Sequence, residues 1–500
     1  MNVESAIKEQ IERLIAEGRY LKVYRRCAPP LLLRHDGLVL QARDPVVEVL
    51  EHRDGTTAAD RLRAVATRSQ EAARLAAADL SALAAKGFFS LAPAYRPLAR
   101  GIKRPVAGCV LMVAQACNLR CKYCYGGDGA YGAGQALQSW EVARAAVDQL
   151  IAGAEKQRDL HITFFGGEPL LNLALIKRVI AYCESLEPGS GKRFVYSITT
   201  NGTLLDEPTV DFLIQKGVRI LLSFDGTHSI QDSHRPFASG SGSGNSVIAA
   251  MTLLRRRGIP IKARATVTDN MANKETLDQM EVESRQYGVE SLALSPVDAR
   301  IPLPPGMQVS QAAADALQAL IEERLQSDVR ALQTGCTSTS LIDACRAWLG
   351  RLVRGRSAGI RRCGACFGMS AVSADGAIFP CHRFVGMAEY QIGHVAEGGR
   401  SIDAIHRLLS SADRVLSDRC SGCIAATLCG GDCLYHLADG AGAFRAPDPH
   451  ECARVLRSLD VVVQTLPALA ELPGEVVGRF LAIRRAGASS STQAPRSAVE

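Results

Sequence analysis

Residues 116–127 read ACNLRCKYCYGG and place three thiols, Cys117, Cys121 and Cys124, within eight positions. The run follows directly on CVLMVA (109–114), an apolar segment that predicts a β-strand. A loop leaving a strand end can wrap three sulfurs so spaced around one face of an iron–sulfur cubane. A [4Fe–4S] cluster takes four ligands, usually cysteine thiolates. Three local cysteines therefore leave one iron open to a ligand that is not protein. The competing reading is a zinc site or chance clustering. Zinc spacings usually come as paired C-x2-C units, so C-x3-C-x2-C favours the open cluster.

Outward from this run the pattern alternates from about residue 106 to 300. HITFFGG (161–167), FVYSITTNG (194–202), RILLSFDG (219–226), IKARATV (261–267) and SLALSPV (291–297) predict strands. Helices are expected over Ser139–Glu155, Asn172–Ser185 and Thr209–Lys216, and after the Gly/Ser-rich loop Ser239–Ser246. Repeated βα units imply a parallel sheet in an α/β fold, and six of them suffice for a partial (β/α)6 barrel. The pattern alone does not separate a curved partial barrel from an open sheet.

Residues 1–95 read as a separate unit. A helical stretch to about Gly18 precedes LLLRHDGLVLQA (31–42), two apolar runs about Asp36-Gly37. That dipeptide is a strong hairpin signal. VVEVL follows, then two Ala/Leu-rich helical segments separated near Ser69. Helices flanking a small antiparallel sheet predict a winged-helix-like module. Arg96–Pro105 reads as a linker. Residues 301–359 begin Pro-rich and turn helical, bridging to a cysteine-rich domain at 360–470 built of short strands and turns, with a helix near Leu456–Leu466. The Ser-, Ala- and Pro-rich tail 486–500 predicts disorder.

Bulk properties agree with a multidomain globular chain. The 500 residues are 47% hydrophobic and 22% charged, with a net charge of +7. Five hundred residues exceed one ordinary core. No apolar run reaches the ~18 residues of a membrane span, and the charged amphipathic start is no signal peptide. Lys and Arg are dispersed apart from short runs such as Arg255-Arg256-Arg257, which argues for a solvated surface over a nucleic-acid footprint. A chain with 16 cysteines, this long and without an export signal, is no secreted disulfide scaffold. In a reducing cytoplasm, where this chain is expected, such clustering points to metal or redox chemistry.

Cys117-x3-Cys121-x-Tyr-Cys124 resembles the signature of the radical SAM superfamily, with Tyr123 as its aromatic position. The resemblance implies that the open iron is chelated by the amino and carboxylate groups of S-adenosylmethionine (SAM), that Tyr123 lies against the adenine, and that reduction releases a 5′-deoxyadenosyl radical. Gly166-Gly167-Glu168-Pro169 ends the second predicted strand as the family's GGE motif does. There the glycines allow close backbone approach and the motif receives the SAM amino group. Thr199-Thr200-Asn201-Gly202 and Ser223-Phe224-Asp225-Gly226 end the next two strands. They resemble the positions that contact the ribose and methionine parts of SAM; Thr200, Asn201 and Ser223 carry the side chains. Arg235, in DSHRP (232–236), resembles the arginine that pairs with the SAM carboxylate, a bidentate partner suited to a planar guanidinium. All these motifs fall at strand C-terminal ends, the face on which α/β barrels carry their sites.

The second cysteine cluster reads CGACFGMSAVSADGAIFPCHRFVG (363–386), CSGCIAATLCGGDC (420–433) and HEC (450–452). Cys420-x2-Cys423-x5-Cys429-x3-Cys433, with Gly376-x4-Cys381 before it and Cys452 after it, resembles the SPASM domain of peptide-modifying radical SAM enzymes. The resemblance implies two auxiliary [4Fe–4S] clusters and so three in all. One takes Cys363, Cys381 and Cys433; the other takes Cys420, Cys423, Cys429 and Cys452. Cys366 stands where related proteins commonly have glycine. It is either a fourth ligand to the first auxiliary cluster, with Cys345 the next candidate, or an incidental thiol beside an iron left open for a substrate thiolate. Zinc is the competing occupant. Cys27, Cys109, Cys183 and Cys336 read as core or incidental thiols.

From about residue 106 to 455 the chain resembles thioether-forming peptide maturases, especially the six-cysteine-peptide (SCIFF) maturases, and also the maturase of quinohemoprotein amine dehydrogenase. The resemblance implies a Cys-containing peptide partner whose leader adds a strand to the sheet edge of residues 1–95. It also implies an external electron donor, with neither nucleic acid nor membrane as partner. Asp232 and Asp225 are candidates for taking a proton, or for orienting Arg235 and closing a turn. Two other enzyme readings share these clusters: formylglycine formation of the anaerobic sulfatase-maturase kind, and other radical carbon crosslinking. An iron–sulfur electron carrier or sensor is the alternative from another class, and needs no SAM pocket.

Overall fold

The computed structural model describes residues 21–24, 31–34, 39–50, 58–85, 106–298, 303–336, 339–342, 348–349, 364–420, 423–473, 476–477 and 480. The helical stretch before Gly18, Cys27, the Asp36-Gly37 turn, the Arg96–Pro105 linker, Cys345, Cys363 and the 486–500 tail lie outside them.

Strands β1 (Leu21–Tyr24), β2 (Leu31–Arg34) and β3 (Val39–Gln41) form an antiparallel sheet in that order. The two apolar runs pair as a hairpin requires, Leu32 opposite Leu40. VVEVL lies in the helix Asp44–Leu50, and helices Ala58–Arg68 and Gln70–Ala85 break at Ser69. The break has a local cause: the Ser69 hydroxyl accepts from the Ala72 N–H at 3.1 Å, starting the second helix afresh. Side chains alternate across a strand, so β2 serves two cores. Leu32 packs with Val47, Leu50, Val65 and Leu80, while Leu31 and Leu33 join the core that contains Leu459 and Val462. Tyr24 bridges to the helix Pro449–Gln464 that carries those two residues, its hydroxyl donating to Asp460 at 2.8 Å.

Strands β4 (Gly108–Gln115), β5 (Asp159–Gly166), β6 (Arg193–Thr200), β7 (Arg219–Ser223), β8 (Ile261–Val267) and β9 (Val289–Pro296) pair in parallel, in sequence order. Helices Trp140–Ala152, Leu173–Ser190, Glu207–Gln215, Gly244–Arg256 and Lys274–Gln286 connect them, with a short helix His228–His234 after β7. Every residue of β4 is buried, as expected for an apolar strand covered on both faces. The sheet is curved. Six strands ~4.8 Å apart span ~24 Å when flat, yet Cys117 after β4 and Ser295 on β9 line one cavity. Strand β9 does not pair with β4 among the described residues, so the barrel is partial.

The cysteine-rich region takes up the free edge of β4. Strand β10 (Met369–Val372) runs parallel to β4 and extends its sheet, with Ala371 opposite Val110. Strands β11 (Ala377–Phe379), β12 (Gly393–His394) and β13 (Gly399–Arg400) continue it antiparallel. The expectation of short strands and turns misses the helix Ile402–Cys420, whose last residue is a cysteine of the second cluster. Helices Gln311–Gln333 and Pro449–Gln464 carry the bridging region and the segment holding Cys452. Among the described residues no helix is long and apolar enough to cross a membrane.

Candidate active site

The first cysteine loop is pinned to the barrel by two glycines. Gly166 has φ +144°, and a Cβ there would stand 2.0 Å from the Ala114 carbonyl oxygen. A Cβ on Gly167 would stand 2.3 Å from the Ala116 oxygen and 2.9 Å from the Cys117 Cβ. That close approach lets the Gly167 and Glu168 N–H groups donate to the Ala114 and Ala116 carbonyls, each at 2.8 Å. The end of β5 thus fixes where Cys117 begins its loop.

Cys117, Cys121 and Cys124 line one cavity with Tyr123, Thr200, Asn201, Ser223 and Arg235. The sequence-predicted set therefore converges, apart from Glu168, Asp225 and Asp232. Burial pushes the Cys117 thiol up to about 11 and the Cys121 thiol up to about 12, and it raises Cys124 as well. Like charges add to this, since ionised Cys117, Cys121 and Cys124 repel one another. Three thiolates here need a positive centre among them, which a metal cluster supplies.

Glu168 sits behind the cavity wall and is 0% exposed. Its Oε1 accepts from the Leu170 N–H at 3.0 Å and the Thr200 hydroxyl at 2.7 Å, and Oε2 accepts from the Asn201 N–H at 2.8 Å. The carboxyl therefore positions Thr200 and Asn201. Burial pushes it up to about 7 from an ordinary 4.5, against those three donors. Between these two values the folded chain holds a proton that the unfolded chain has released. Stability then falls as pH rises through that window, by about 3 kcal/mol. Thermal melts of the iron-free protein at about pH 5 and about pH 7.5 are expected to show this loss. In Glu168→Gln the loss is expected to shrink; an equal pH dependence would remove Glu168 as its source.

Asp225, also 0% exposed, organises the wall beside the thiols. Its Oδ2 accepts from the Tyr123 hydroxyl. Its Oδ1 accepts from the Thr266 N–H at 3.0 Å and from Arg235 Nη2 at 3.2 Å, and His234 Nδ1 lies 3.4 Å from Oδ2. Burial opposes ionisation, but the Arg235 guanidinium, His234 and Tyr123 outweigh it and hold the carboxyl below its ordinary value. The guanidinium of Arg235 lies over the Tyr123 ring at 5.2 Å. Its Nε is buried with no hydrogen-bond partner. An unsatisfied guanidinium donor on the wall beside three thiols fits the carboxylate of SAM bound to a cluster.

Asp232 lies elsewhere. Its Oδ1 accepts from the Gly244 N–H at 2.6 Å, and its Oδ2 lies 3.5 Å from His228 Nδ1. It closes the Gly/Ser-rich loop and does not line the cavity.

Sequence reasoning missed much of the remaining lining: Tyr125, Phe165, Arg264, Asp298, His382 and Arg383. The His382 ring lies 4.5 Å from Phe165, and burial pushes the imidazole down to about 3, so it stays neutral. Arg383 spans Asp298 at 3.8 Å and the rings of Tyr125 and Tyr435 at 5.4 and 5.3 Å. The available signal was the His-Arg pair directly after Cys381.

In the second cysteine group, Cys420, Cys423, Cys429 and Cys452 come together. Burial and then repulsion from the other three push Cys420 up to about 12. Cys366 and Cys381 are buried in the core against which Cys433 packs. Cys109 and Cys183 are core thiols, as expected.

Comparison with known proteins follows the same lines. The radical SAM superfamily matches residues 111–281, so this stretch is a radical SAM domain. The serine-type anaerobic sulfatase-maturating enzyme of Klebsiella aerogenes is 26% identical over 355 residues, covering 68% of this chain and 83% of that one. An uncharacterized protein of Methanocaldococcus jannaschii is 30% identical over 184 residues, 37% of this chain; the match spans 60% of that protein's length. The solved structure of native anSMEcpe with bound AdoMet and Cp18Cys peptide aligns at a TM-score of 0.56 and 18% identity, covering 75% of this chain and 99% of that one. At that identity the likeness is one of fold.

Proposed function

We propose, from the radical SAM domain over residues 111–281, that the chain uses SAM to modify a peptide or protein substrate by closing a thioether on a substrate cysteine. One observation carries the reading. The thiols of Cys117, Cys121 and Cys124 open on a cavity that His382 and Arg383 of the cysteine-rich module also line. A substrate there lies between the SAM side and the auxiliary side.

Cys117, Cys121 and Cys124 would hold the radical SAM cluster, and Arg235 the SAM carboxylate. Tyr123, Gly166, Gly167, Thr200, Asn201 and Ser223 would form the rest of the SAM pocket, with Glu168 and Asp225 fixing them from behind. Cys420, Cys423, Cys429 and Cys452 would hold one auxiliary cluster, and Cys363, Cys381 and Cys433 the other. Bound there, SAM and the clusters supply hydrogen abstraction from a substrate carbon and a sink for the surplus electron, with an external donor providing the priming electron. Residues 1–95 would dock the leader, since β3 is an edge strand among the described residues and strand addition uses such an edge. The anSMEcpe structure holds a Cys peptide, which supports a peptide substrate here. The likeness to the Klebsiella aerogenes enzyme over 355 residues favours a second reading, formylglycine formation.

The test is incubation of the reconstituted protein with SAM, dithionite and a Cys-containing peptide encoded beside the gene. A thioether product is lighter by a pair of hydrogens, and its cysteine no longer alkylates. A hydrazide-reactive aldehyde would establish the second reading instead, and intact SAM would leave an electron carrier. The same assay without residues 1–95 is expected to keep uncoupled SAM cleavage and to lose most peptide affinity. Equal affinity would refute the docking role.

A further inference from the structure

Arg400 is a partly buried cation without a counter-ion among the described residues. It ends β13 beside the segment that carries Cys366. Its Nη2 donates to the Cys366 carbonyl and its Nη1 to the Phe367 carbonyl at 3.5 Å. Its Nε is buried with no hydrogen-bond partner. No carboxylate pairs with it among the described residues. Burial lowers its pKa; the groups that act back on its charge are the thiols of Cys366 and Cys109. A guanidinium nonetheless stays protonated in proteins. A buried guanidinium donor that lacks an acceptor is costly, so an anionic acceptor is expected beside the Nε.

Cys366 supplies the second observation. It is 2% exposed and sits at φ +69°, a left-handed conformation that suits glycine and penalises a cysteine. Its core also contains Cys381, with Cys433 packed against it. A thiol held in a costly conformation beside a cation with an unsatisfied donor has the surroundings of a ligand to an anionic cluster.

We propose that Arg400 is the counter-charge of an auxiliary [4Fe–4S] cluster ligated through Cys366, and that it raises that cluster's reduction potential. The inference rests on the auxiliary-cluster reading above and deepens it, naming the fourth ligand and the residue that tunes the site. A 2+ core with four thiolates carries about two negative charges, and its one-electron reduced form about three. A fixed cation attracts the reduced form more strongly, so it favours uptake of the electron. Full cysteine ligation also closes this cluster to a substrate thiolate.

The experiment is a dithionite titration of the reconstituted full chain, followed by electron paramagnetic resonance, on the unaltered protein and on Arg400→Gln, Arg400→Lys and Cys366→Ala. In Arg400→Gln one cluster of the three is expected to lose at least tenfold in its equilibrium constant for reduction, about 59 mV for one electron. The other two midpoints stay in place, and Arg400→Lys keeps all three. Cys366→Ala is expected to change the signal of that same cluster. Unchanged midpoints in Arg400→Gln with iron intact would overturn the inference while leaving the auxiliary clusters standing. Equal losses in Arg400→Lys, of potential or of iron, would overturn the charge role. A Cys366→Ala spectrum identical to the unaltered one would overturn the ligand assignment. Absence of a third cluster from the unaltered protein would overturn both this inference and the reading on which it rests.

Discussion

Replacing Cys117, Cys121 and Cys124 together by alanine is expected to abolish reductive SAM cleavage and to remove about four of about twelve irons. The three side chains are only partly buried and line the cavity rather than the core. Their removal therefore creates little void, and the close contacts of Gly166 and Gly167 with the loop backbone remain. Cys420, Cys423, Cys429 and Cys452 are held by other elements, so the auxiliary sites are expected to keep their metal. Iron analysis and chromatographic detection of 5′-deoxyadenosine read the two effects separately. SAM cleavage that survives would sink the assignment of the radical site. Loss of all iron would show instead that the variant had unfolded.

The parts of this molecule that were legible in the sequence are those set by local pattern. Strands β5, β6 and β7 of the barrel were legible because each apolar run ends in a motif with glycine, and glycine is demanded locally: Gly166 cannot carry a side chain against Ala114. The hairpin was legible from the flanks of Asp36-Gly37, because turn chemistry acts over a few residues. What was not legible depends on contacts between distant segments. The parallel pairing of β10 with β4 joins residues some 260 positions apart. No local pattern announces that join, and it is what carries His382 and Arg383 to the cavity wall. Curvature likewise emerged only from the convergence of β4 and β9 on one cavity. The helix Ile402–Cys420 was hidden because the cysteine spacing around its end drew the reading toward turns. Asp225 and Asp232 stand seven positions apart in neighbouring motifs, yet only Asp225 reaches Tyr123 and Arg235; burial separated two carboxylates that spacing could not.

Asp225→Ala is expected to cost about 3–5 kcal/mol of stability, the range for breaking a buried ion pair from one side. Arg235 is 8% exposed and would keep its charge while losing its carboxylate. The Tyr123 hydroxyl and the Thr266 N–H would lose their acceptor in the same step. The Tyr123 ring face under the guanidinium offsets only part of this, about 1–2 kcal/mol for a desolvated cation–π contact. Asp225→Asn keeps the shape and one acceptor and is expected to cost less. The variant also discriminates what Arg235 does. If Arg235 receives the carboxylate of SAM, then SAM restores a counter-charge in Asp225→Ala but adds only a second one in the unaltered protein. Saturating SAM is therefore expected to raise the melting temperature of the variant more than that of the unaltered protein. Chemical and thermal unfolding of the two proteins, with and without SAM, measures both effects. A loss under about 1 kcal/mol would show that Asp225 is not what stabilises the buried guanidinium. An equal response to SAM would separate Arg235 from the SAM carboxylate, leaving it the simpler task of locking Tyr123 against the cavity wall.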